Sequence, residues 1–295
     1  MVYTVLNGRL GNNMFQIAAG ATLAARNNDD FIAQCYNGLV SVPGDNRHIT
    51  EYIEQYRNNI FRKVKIEASK PGDYFFYSEP SLRYSEIPYR NNIRMHGWFQ
   101  SEKYFDRKVV LDLFEIPAQT KEYIENKYGH IFAQGAVNSI HIRRGDYLKI
   151  PHYYPATTLQ YFKKAIKMLG ENERYLILSD DIDWAKQHFT GSNFYFSEKE
   201  EPLVDLYLQT YCKNNIISNS SFSWWGAWLN PNEDKTVICP TPWHGIIYKK
   251  KDDCDLVPES WVRIKNNIPL SKKLLARRLY IKEKWNGLKR RLNKK

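Results

Sequence analysis

The fold is decided by the stretch AVNSIHIRRGDY, residues 136–147. An apolar, β-prone run leads directly into a histidine, two arginines and an aspartate that meet at a glycine turn. Alternate residues of a strand share a face, so we expect His141 and Arg143 to point one way and Arg144 the other. Ligands of open α/β sheets bind at the carboxyl ends of the strands. The stretch therefore predicts either an anion site at Arg143 or a structural arginine–aspartate pair at a strand end.

From residue 136 onward, strand-like and helix-like patterns alternate. Strands are predicted at 137–143, 175–179, 194–196, 216–218 and 236–239, and helices at 159–169, 184–189, 202–211 and 222–229. The chain opens with a predicted strand at 3–6, a polar loop at 7–13 and a helix at 14–26, whereas residues 34–85 show no clear pattern. Strands that alternate with helices predict parallel sheets with helices on both faces, which is an α/β fold.

The composition is that of a globular protein with an unusual charge distribution. Of the 295 residues 43% are hydrophobic, and the net charge is +11. The last 25 residues hold eleven lysines and arginines and one acid, whereas the rest holds 32 basic and 31 acidic residues. The globular part is nearly neutral, which argues against a nucleic-acid-binding fold. Four cysteines without zinc-site spacing, and an N terminus unlike a signal peptide, predict reduced thiols in a cytoplasmic protein.

The basic C-terminal segment, 269–295, is predicted to form an amphipathic helix. Its apolar residues fall on one helical stripe, and basic residues flank it. The stripe consists of Leu274, Ile281, Trp285, Leu288 and Leu292, and the flanks of Arg277, Arg278, Lys282, Lys284, Lys289 and Arg291. Such a helix is suited to an anionic membrane, where each basic residue contributes roughly 1 kcal/mol. The protein would then lie at the inner face of a bacterial membrane. The alternative is a solvated helix docked on its own domain by that stripe.

Polar residues at two further strand ends are candidate nucleotide contacts. Asn219, Ser220 and Ser221 lie where a strand passes into a helix, and hydroxyls and free N–H groups at a helix start bind anions. Asp180 and Asp181 end another strand, where a carboxylate can accept hydrogen bonds from guanine or from ribose hydroxyls. For both groups the alternative is helix capping.

Motifs for other nucleotide chemistry are absent or weak. The sequence contains neither the phosphate-binding loop nor the dinucleotide fingerprint. Asp181-Ile182-Asp183 and Asp253-Cys254-Asp255 have the D-x-D form that binds metal–nucleotide complexes. Such tripeptides are common by chance in acidic loops, so we predict no metal site.

Four segments in order resemble the alpha-1,2-fucosyltransferase family. They are GRLGNNMFQ at 8–16, GWFQSEKYF at 97–105, HIRRGDY at 141–147 and SNSSFSWWGAWL at 218–229. One departure is Asn13, where the family usually has glutamine. The resemblance implies a GT-B-like fold in which two Rossmann-like domains face a cleft. We expect an acceptor-side domain at 1–135, a GDP-sugar-binding domain at 136–268 and the basic helix at 269–295.

The resemblance also implies an activity and roles for particular residues. The expected reaction is inverting transfer of L-fucose from GDP-fucose to the 2-hydroxyl of a terminal galactoside in a surface glycan or O-antigen, without a cofactor or metal. Arg143 is expected to hold the β-phosphate as GDP leaves, and His141 to line the same pocket. Arg144 is expected to support the structure through Asp146.

In the first segment of the resemblance, Gly11 and Asn12 are expected to face the cleft, with Asn12 near the fucose or the acceptor hydroxyl. Inversion needs a group that takes the acceptor proton. Glu102, Asp146, His96 and the departing phosphate remain candidates, and Glu102 is alternatively a helix-start carboxylate.

Two other functions stay open at this stage. One is a metal-dependent transferase of another nucleotide sugar that uses Asp181 or Asp183. The other is a non-catalytic glycan-binding protein, which would have no need of a cradle for a diphosphate.

Overall fold

The computed structural model describes residues 1–40, 46–248 and 254–292, and the chain divides into two compact units. The first consists of Met1–Tyr128 and Cys254–Glu259, and the second of Gly129–Asp253 and Ser260–Lys295. The domain limits that we inferred from the sequence stay predictions. They place residues 254–259 in the second domain, whereas the structure groups Cys254–Glu259 with the first unit.

A five-stranded parallel sheet forms the first unit. In chain order its strands are β1 (Val2–Leu6), β2 (Phe31–Cys35), β3 (Ile66–Ala68), β4 (Phe75–Ser78) and β5 (Ile93–His96). Their spatial order is β3-β2-β1-β5-β4, with every pairing parallel. The strand order reverses at β1, and in open α/β sheets the carboxyl end at such a reversal is where ligands bind.

The helices of this unit are α1 (Leu10–Arg26), α2 (Ile49–Arg57) and α3 (Arg107–Leu113), and α4 (Ala118–Phe132) begins in it and ends in the second unit. Helix α1 begins four residues before the predicted start, so the predicted loop at 7–13 is partly helical. The hydroxyl of Tyr52, on α2, accepts a hydrogen bond from the backbone N–H of Leu10 at 2.8 Å. This bond satisfies a donor that a helix start leaves free. It joins residues far apart in sequence, which explains why the local pattern did not reveal it.

The segment 34–85 contains α2, β3 and β4 in its described part, whereas residues 41–45 lie outside the described residues. Strands β3 and β4 have three and four residues and form the two edges of the sheet. Such short strands carry too few alternations to be recognised from sequence.

A six-stranded parallel sheet forms the second unit. Its strands are β6 (Asn138–Ile142), β7 (Tyr175–Ser179), β8 (Phe194–Phe196), β9 (Asn215–Ile216), β10 (Val237–Thr241) and β11 (Val262–Lys265), in the order β11-β10-β9-β6-β7-β8. All residues of β6 and the first four of β7 are buried, because helices cover both faces of the sheet. The predicted α/β class, with parallel sheets, is confirmed, although the edge strand β11 was not predicted.

The helices of the second unit agree closely with the sequence pattern. They are α5 (Leu159–Leu169), α6 (Ile182–His188), α7 (Pro202–Leu208), α8 (Ser221–Trp228) and α9 (Leu270–Leu292). Trp224 and Trp225 are fully buried, and α8 packs against α7 and the 3₁₀ turn Gln209–Tyr211. Helix α9 is the predicted C-terminal helix. In the described ranges no helix is both long and apolar enough to cross a membrane.

Candidate functional site

The candidate site of the second unit lies at the carboxyl edge of its sheet. Arg143 follows β6 directly, Asp180 follows β7, and Ser218 lies just beyond β9. The backbone N–H of Arg143 donates to Ser218 Oγ at 3.0 Å, and this hydroxyl donates to the carbonyl of His141 at 2.9 Å. Ser218 thus joins the ends of β6 and β9, where the sheet order reverses.

The Arg143 guanidinium lies between two carboxylates. Its Nη2 is 2.8 Å from Asp146 Oδ1, and its Nη1 is 3.1 Å from Asp180 Oδ2. The side chain is 25% exposed. A guanidinium has five N–H donors, and these two contacts leave three without an acceptor in the part of the chain that the structure describes. The structural pair and an anion site are therefore compatible at this residue.

Arg144 has a different partner from the expected one. Its Nε lies 3.0 Å from Asp181 Oδ2, and its guanidinium stacks 3.9 Å above the centroid of the Trp184 ring. The expectation that Arg144 acts through Asp146 is wrong, because the turn after β6 directs Asp146 to Arg143 instead. Arg144 thus contacts the start of α6.

The two predicted aspartates are both engaged in the described structure. Asp180 Oδ1 accepts the backbone N–H of Arg144 at 2.8 Å, and Asp181 caps α6 by accepting from Trp184 N at 3.4 Å. A Cβ on Gly145 would lie 2.6 Å from Asp180 Oδ2, so only glycine permits this approach. The capping alternative is therefore observed for Asp181 alone, since Asp180 instead holds the turn after β6. Nucleotide contact stays a prediction for both. The cluster of two arginines and three aspartates carries no excess positive charge, so a diphosphate needs further donors.

His141 is buried under the same edge of the sheet. Its ring lies 5.3 Å from the ring of Phe222, and its Nδ1 has no hydrogen-bond partner among the described residues. Burial, together with the neighbouring Arg143 charge, lowers the pKa of His141 to about 3. The imidazole is therefore neutral at physiological pH. A buried nitrogen without a partner needs an explanation, and a hydrogen bond to a ligand would supply one.

The start of α8 supplies further donors. Asn219 Nδ2 donates to the carbonyls of Pro155 and Trp243, at 3.1 and 2.8 Å, which fixes the backbone just before the helix. Ser220 occupies the cap position without a side-chain capping bond, and Ser221 is the first helical residue. The simple capping alternative is therefore not observed for Ser220. Among the described residues Ser220 leaves the first-turn N–H groups uncapped, and such groups bind anions.

In the first unit, hydrogen bonds bring together two segments of the resemblance, 8–16 and 97–105. Asn12 Oδ1 accepts from Gln100 Nε2 at 2.8 Å, and Gln16 Nε2 donates to the carbonyl of Gly97 at 3.0 Å. Gly11 and Asn12 lie on the first turn of α1 rather than in a loop. Gly8 precedes them with φ +80°, a conformation that favours glycine.

The candidate bases of the first unit lie near these segments. Glu102 begins the 3₁₀ turn Glu102–Tyr104, which fits its alternative as a helix-start carboxylate. His96 ends β5 and is exposed. In the second unit, Asp146 is bound to Arg143, so it is poorly placed to accept a proton.

The sequence did not reveal Glu79, a largely buried carboxylate beside the segment 97–105. Its Oε2 accepts the backbone N–H groups of Trp98 and Phe99 at 2.7 and 3.1 Å, and its Oε1 accepts from the hydroxyl of Tyr104 at 3.2 Å. Burial raises the pKa of this carboxyl. Glu79 directly follows the short edge strand β4, so no periodic pattern marked it.

Replacing Glu79 by alanine is expected to destabilise the protein by about 1–3 kcal/mol, because two backbone N–H groups lose their acceptor. Urea unfolding at pH 7 measures the change. Glu86→Ala, at an exposed glutamate of the same region, is the matched control and should be near neutral. Equal effects of the two substitutions would contradict this role for Glu79.

Asp205 is a second carboxylate that sequence reasoning missed. It lies on α7, and its Oδ1 accepts a hydrogen bond from the hydroxyl of Ser197, which directly follows β8. Burial raises the pKa of Asp205 to about 7. The available signal was an acid inside an otherwise apolar helix, PLVDLYL at 202–208. Asp205 therefore lies at the same sheet edge as Arg143, two strands away.

The structure gives the D-x-D segments no metal-binding arrangement. Asp181 is bound to Arg144, Asp255 forms an ion pair with Lys103, and Asp253 lies outside the described residues. Across residues 1–40, 46–248 and 254–292, no group of three or more His, Cys, Asp or Glu side chains is arranged to hold a metal ion. Independence of metal stays a prediction.

Comparisons with known proteins place this arrangement in a family context. A family model described as Glycosyl transferase family 11 matches residues 1–265. The O-antigen biosynthesis glycosyltransferase WbnK of Escherichia coli is 28% identical, covering 89% of this chain and 100% of that protein. An alpha-1,2-colitosyltransferase of Escherichia coli is 31% identical, covering 90% and 99%. The structure of fucosyltransferase NodZ from Bradyrhizobium aligns with a TM-score of 0.48 at 14% identity, over 78% of this chain and 94% of that one.

Proposed function

The chain belongs to glycosyltransferase family 11, and from this membership we propose that it transfers L-fucose from GDP-fucose to the 2-hydroxyl of a terminal galactoside. The acceptor we propose is a bacterial surface glycan of the O-antigen type. Two relatives support the proposed acceptor and the proposed activity, respectively. The relative WbnK is an O-antigen biosynthesis glycosyltransferase, and bovine SEC1, at 24% identity over 77% of this chain and 64% of that protein, is a galactoside 2-alpha-L-fucosyltransferase.

The observation that carries the proposal is the position of Arg143. Its three remaining N–H donors lie at the end of β6, and the first turn of α8 follows β9, the adjacent strand about 5 Å away. A diphosphate bound across these two strand ends receives charge-assisted bonds from the guanidinium and N–H bonds from the helix start. Neutral His141, Ser220 and Ser221 complete the donor set.

We assign the nucleobase to the other side of Arg143, at Asp205. Asp180 and Asp181, the aspartates first considered, already bind the Arg144 backbone and side chain. Strand β8 lies two strand spacings, about 10 Å, from β6. A distance of this size matches the separation between the base and the diphosphate within one nucleotide. Burial raises the pKa of Asp205, and the two N–H donors on the Watson–Crick edge of guanine would stabilise its charged form.

Asp205→Asn is expected to weaken GDP binding by about tenfold to a hundredfold, because a charge-assisted pair of hydrogen bonds is lost. The folded-state pKa lies above the ordinary value of 3.8, so the carboxyl lowers stability progressively as pH rises from about 4 through 7. The variant should thus melt above the wild type at pH 8 and near it at pH 4. Calorimetry with GDP and melting scans at both pH values measure these effects.

Asp183→Asn, at an exposed aspartate on α6, is the matched control and should change neither quantity. If Asp205→Asn binds GDP as tightly as the wild type, the assignment of the base is wrong. Loss of binding in Asp183→Asn would favour the metal-dependent alternative.

The proposed reaction is one in-line displacement. The acceptor oxygen bonds to C1 of fucose as the bond from C1 to the phosphate oxygen breaks, and GDP leaves with the electron pair. Arg143 stabilises the charge that grows on the departing phosphate. The acceptor proton passes to Glu102 or to that phosphate. No metal or cofactor takes part.

A second candidate donor sugar is colitose, which is L-fucose without its 3-hydroxyl. The observation that favours it is the alpha-1,2-colitosyltransferase relative at 31% identity. A donor panel separates the two, because each purified GDP-sugar gives a product of different mass.

Nucleotide calorimetry in excess EDTA tests the proposal directly. We expect GDP to bind and UDP and ADP to bind at least about tenfold more weakly, since only guanine offers both donors to Asp205. Loss of binding in EDTA would support the metal-dependent alternative. Absence of GDP binding with and without Mg²⁺ would leave a glycan-binding protein as the better interpretation.

A further inference from the structure

Helix α9 is attached to the second unit by one of its faces. Ala276 on this face is 5% exposed, and Leu275 and Leu279 are partly buried. Glu283, the acid of the basic segment, accepts a hydrogen bond from the hydroxyl of Tyr153 at 2.8 Å and lies 3.3 Å from Nε2 of His152. These contacts hold the helix to the loop that follows the Arg143 turn.

The opposite face of α9 carries an apolar stripe that the protein leaves open. Leu274, Ile281, Trp285 and Leu288 are between 49% and 63% exposed. At 3.6 residues per turn they fall within an arc of about 60°, roughly opposite Glu283. The alternative in which this stripe docks the helix on its own domain is therefore wrong. Leu292, predicted at the end of the stripe, has no described side chain.

Basic side chains border the open stripe on both sides. Arg277 and Lys284 lie along one border, and Arg278, Lys282 and Lys289 along the other, all exposed. On the described part of α9 the single acid, Glu283, is on the attached face. The outward surface of the described part of α9 thus combines exposed apolar side chains, among them that of Trp285, with basic side chains.

We propose that the outward stripe of α9 lies on an anionic lipid bilayer. The helix is about 35 Å long and would lie in the plane of the membrane, with its apolar side chains at the acyl boundary and its basic side chains among the headgroups. Charge complementarity selects this occupant. If a second copy of the chain covered the stripe, the basic side chains on its borders would face those of the first copy and repel them. A flat anionic surface instead pairs with the basic side chains of both borders at once.

Co-sedimentation of the full-length protein with vesicles tests the proposal. We expect binding to phosphatidylcholine vesicles that contain phosphatidylglycerol and little binding to phosphatidylcholine alone. Trp285→Ser/Leu288→Ser and Lys282→Gln/Lys284→Gln/Lys289→Gln should each weaken binding at least about tenfold, since burial of the stripe and pairing of its borders contribute separately.

Matched controls lie on α5 of the same unit. Met168→Ser replaces an equally exposed apolar side chain, and Lys163→Gln/Lys164→Gln/Lys167→Gln removes three exposed lysines. Both should bind vesicles as the wild type does. Unfolding midpoints of all variants exclude loss of fold as the cause.

Three results would overturn the proposal. The first is absence of wild-type binding to anionic vesicles. The second is unchanged vesicle binding by the Trp285→Ser/Leu288→Ser variant, because charge attraction alone would then account for the binding. The third is a wild-type dimer in light scattering that dissociates in this variant, because the stripe would then be covered by a second copy of the chain.

Discussion

Replacement of Arg143 by alanine is expected to reduce fucosyl transfer by about 10²–10³-fold, the usual effect of removing one donor to a developing negative charge. The guanidinium lies at the reversal point of the second sheet between Asp146 and Asp180, and these two contacts leave three of its N–H donors without an acceptor among the described residues. Without it, these two carboxylates repel the departing diphosphate as well. Turnover at saturating GDP-fucose measures the loss.

The fold should survive this substitution. The side chain is 25% exposed, and Asp180 keeps its bond from the backbone of Arg144. Arg143→Lys, which keeps the charge and loses the forked geometry, should fall between the alanine variant and the wild type. Arg174→Ala is the structural control. It removes hydrogen bonds to the carbonyls of Ile131 and Gly135, and it should lower stability without abolishing transfer. An Arg143→Ala enzyme with more than a tenth of wild-type turnover would contradict the role of Arg143.

Gly8→Ala is expected to lower transfer at least about tenfold and the free energy of unfolding by about 1–2 kcal/mol. Two features cause this. Gly8 has φ +80°, and an added Cβ would lie 2.5 Å from Nδ2 of Asn12. The amide of Asn12 must then move, and with it the group that we expect beside the fucose or the acceptor hydroxyl. Initial rates with a soluble galactoside acceptor, together with urea unfolding, report the two effects.

Gly129→Ala is the matched control for Gly8. Its added Cβ meets no atom within 4 Å, and the residue lies inside α4, where alanine stabilises a helix by about 0.5–1 kcal/mol. We expect unchanged transfer and slightly raised stability. If the two glycine variants behave alike in transfer, Asn12 has no part in the reaction.

The second unit was largely predictable from sequence because its strands are buried on both faces and therefore read as apolar runs. The stretch that ends in Arg143 also predicted a strand whose carboxyl end precedes this arginine, and β6 ends at Ile142. The first unit was less predictable. Strands β3 and β4 are too short to show a period, and the start of α1 depends on Tyr52, 42 residues away.

The side-chain contacts around the site were likewise only partly predictable from the sequence. Strand alternation predicted different surroundings for Arg143 and Arg144, and the two side chains do have different partners, although β6 ends at Ile142, before both of them. The partners of these arginines depend on the turn at Gly145 and on the position of α6, so Asp146 was assigned to the wrong arginine. Glu79 and Asp205 went unnoticed because their importance arises from burial, which is a property of the fold rather than of the local sequence.

We propose that this family 11 chain is a GDP-fucose-dependent alpha-1,2-fucosyltransferase. The most direct test of this proposal is linkage analysis of the product formed from GDP-fucose and a panel of terminal β-galactosides in EDTA. We expect release of GDP and a single product with L-fucose α-linked to O2 of galactose, lost in the Arg143→Ala variant. Transfer to another hydroxyl, or transfer that proceeds only with added metal, would contradict it.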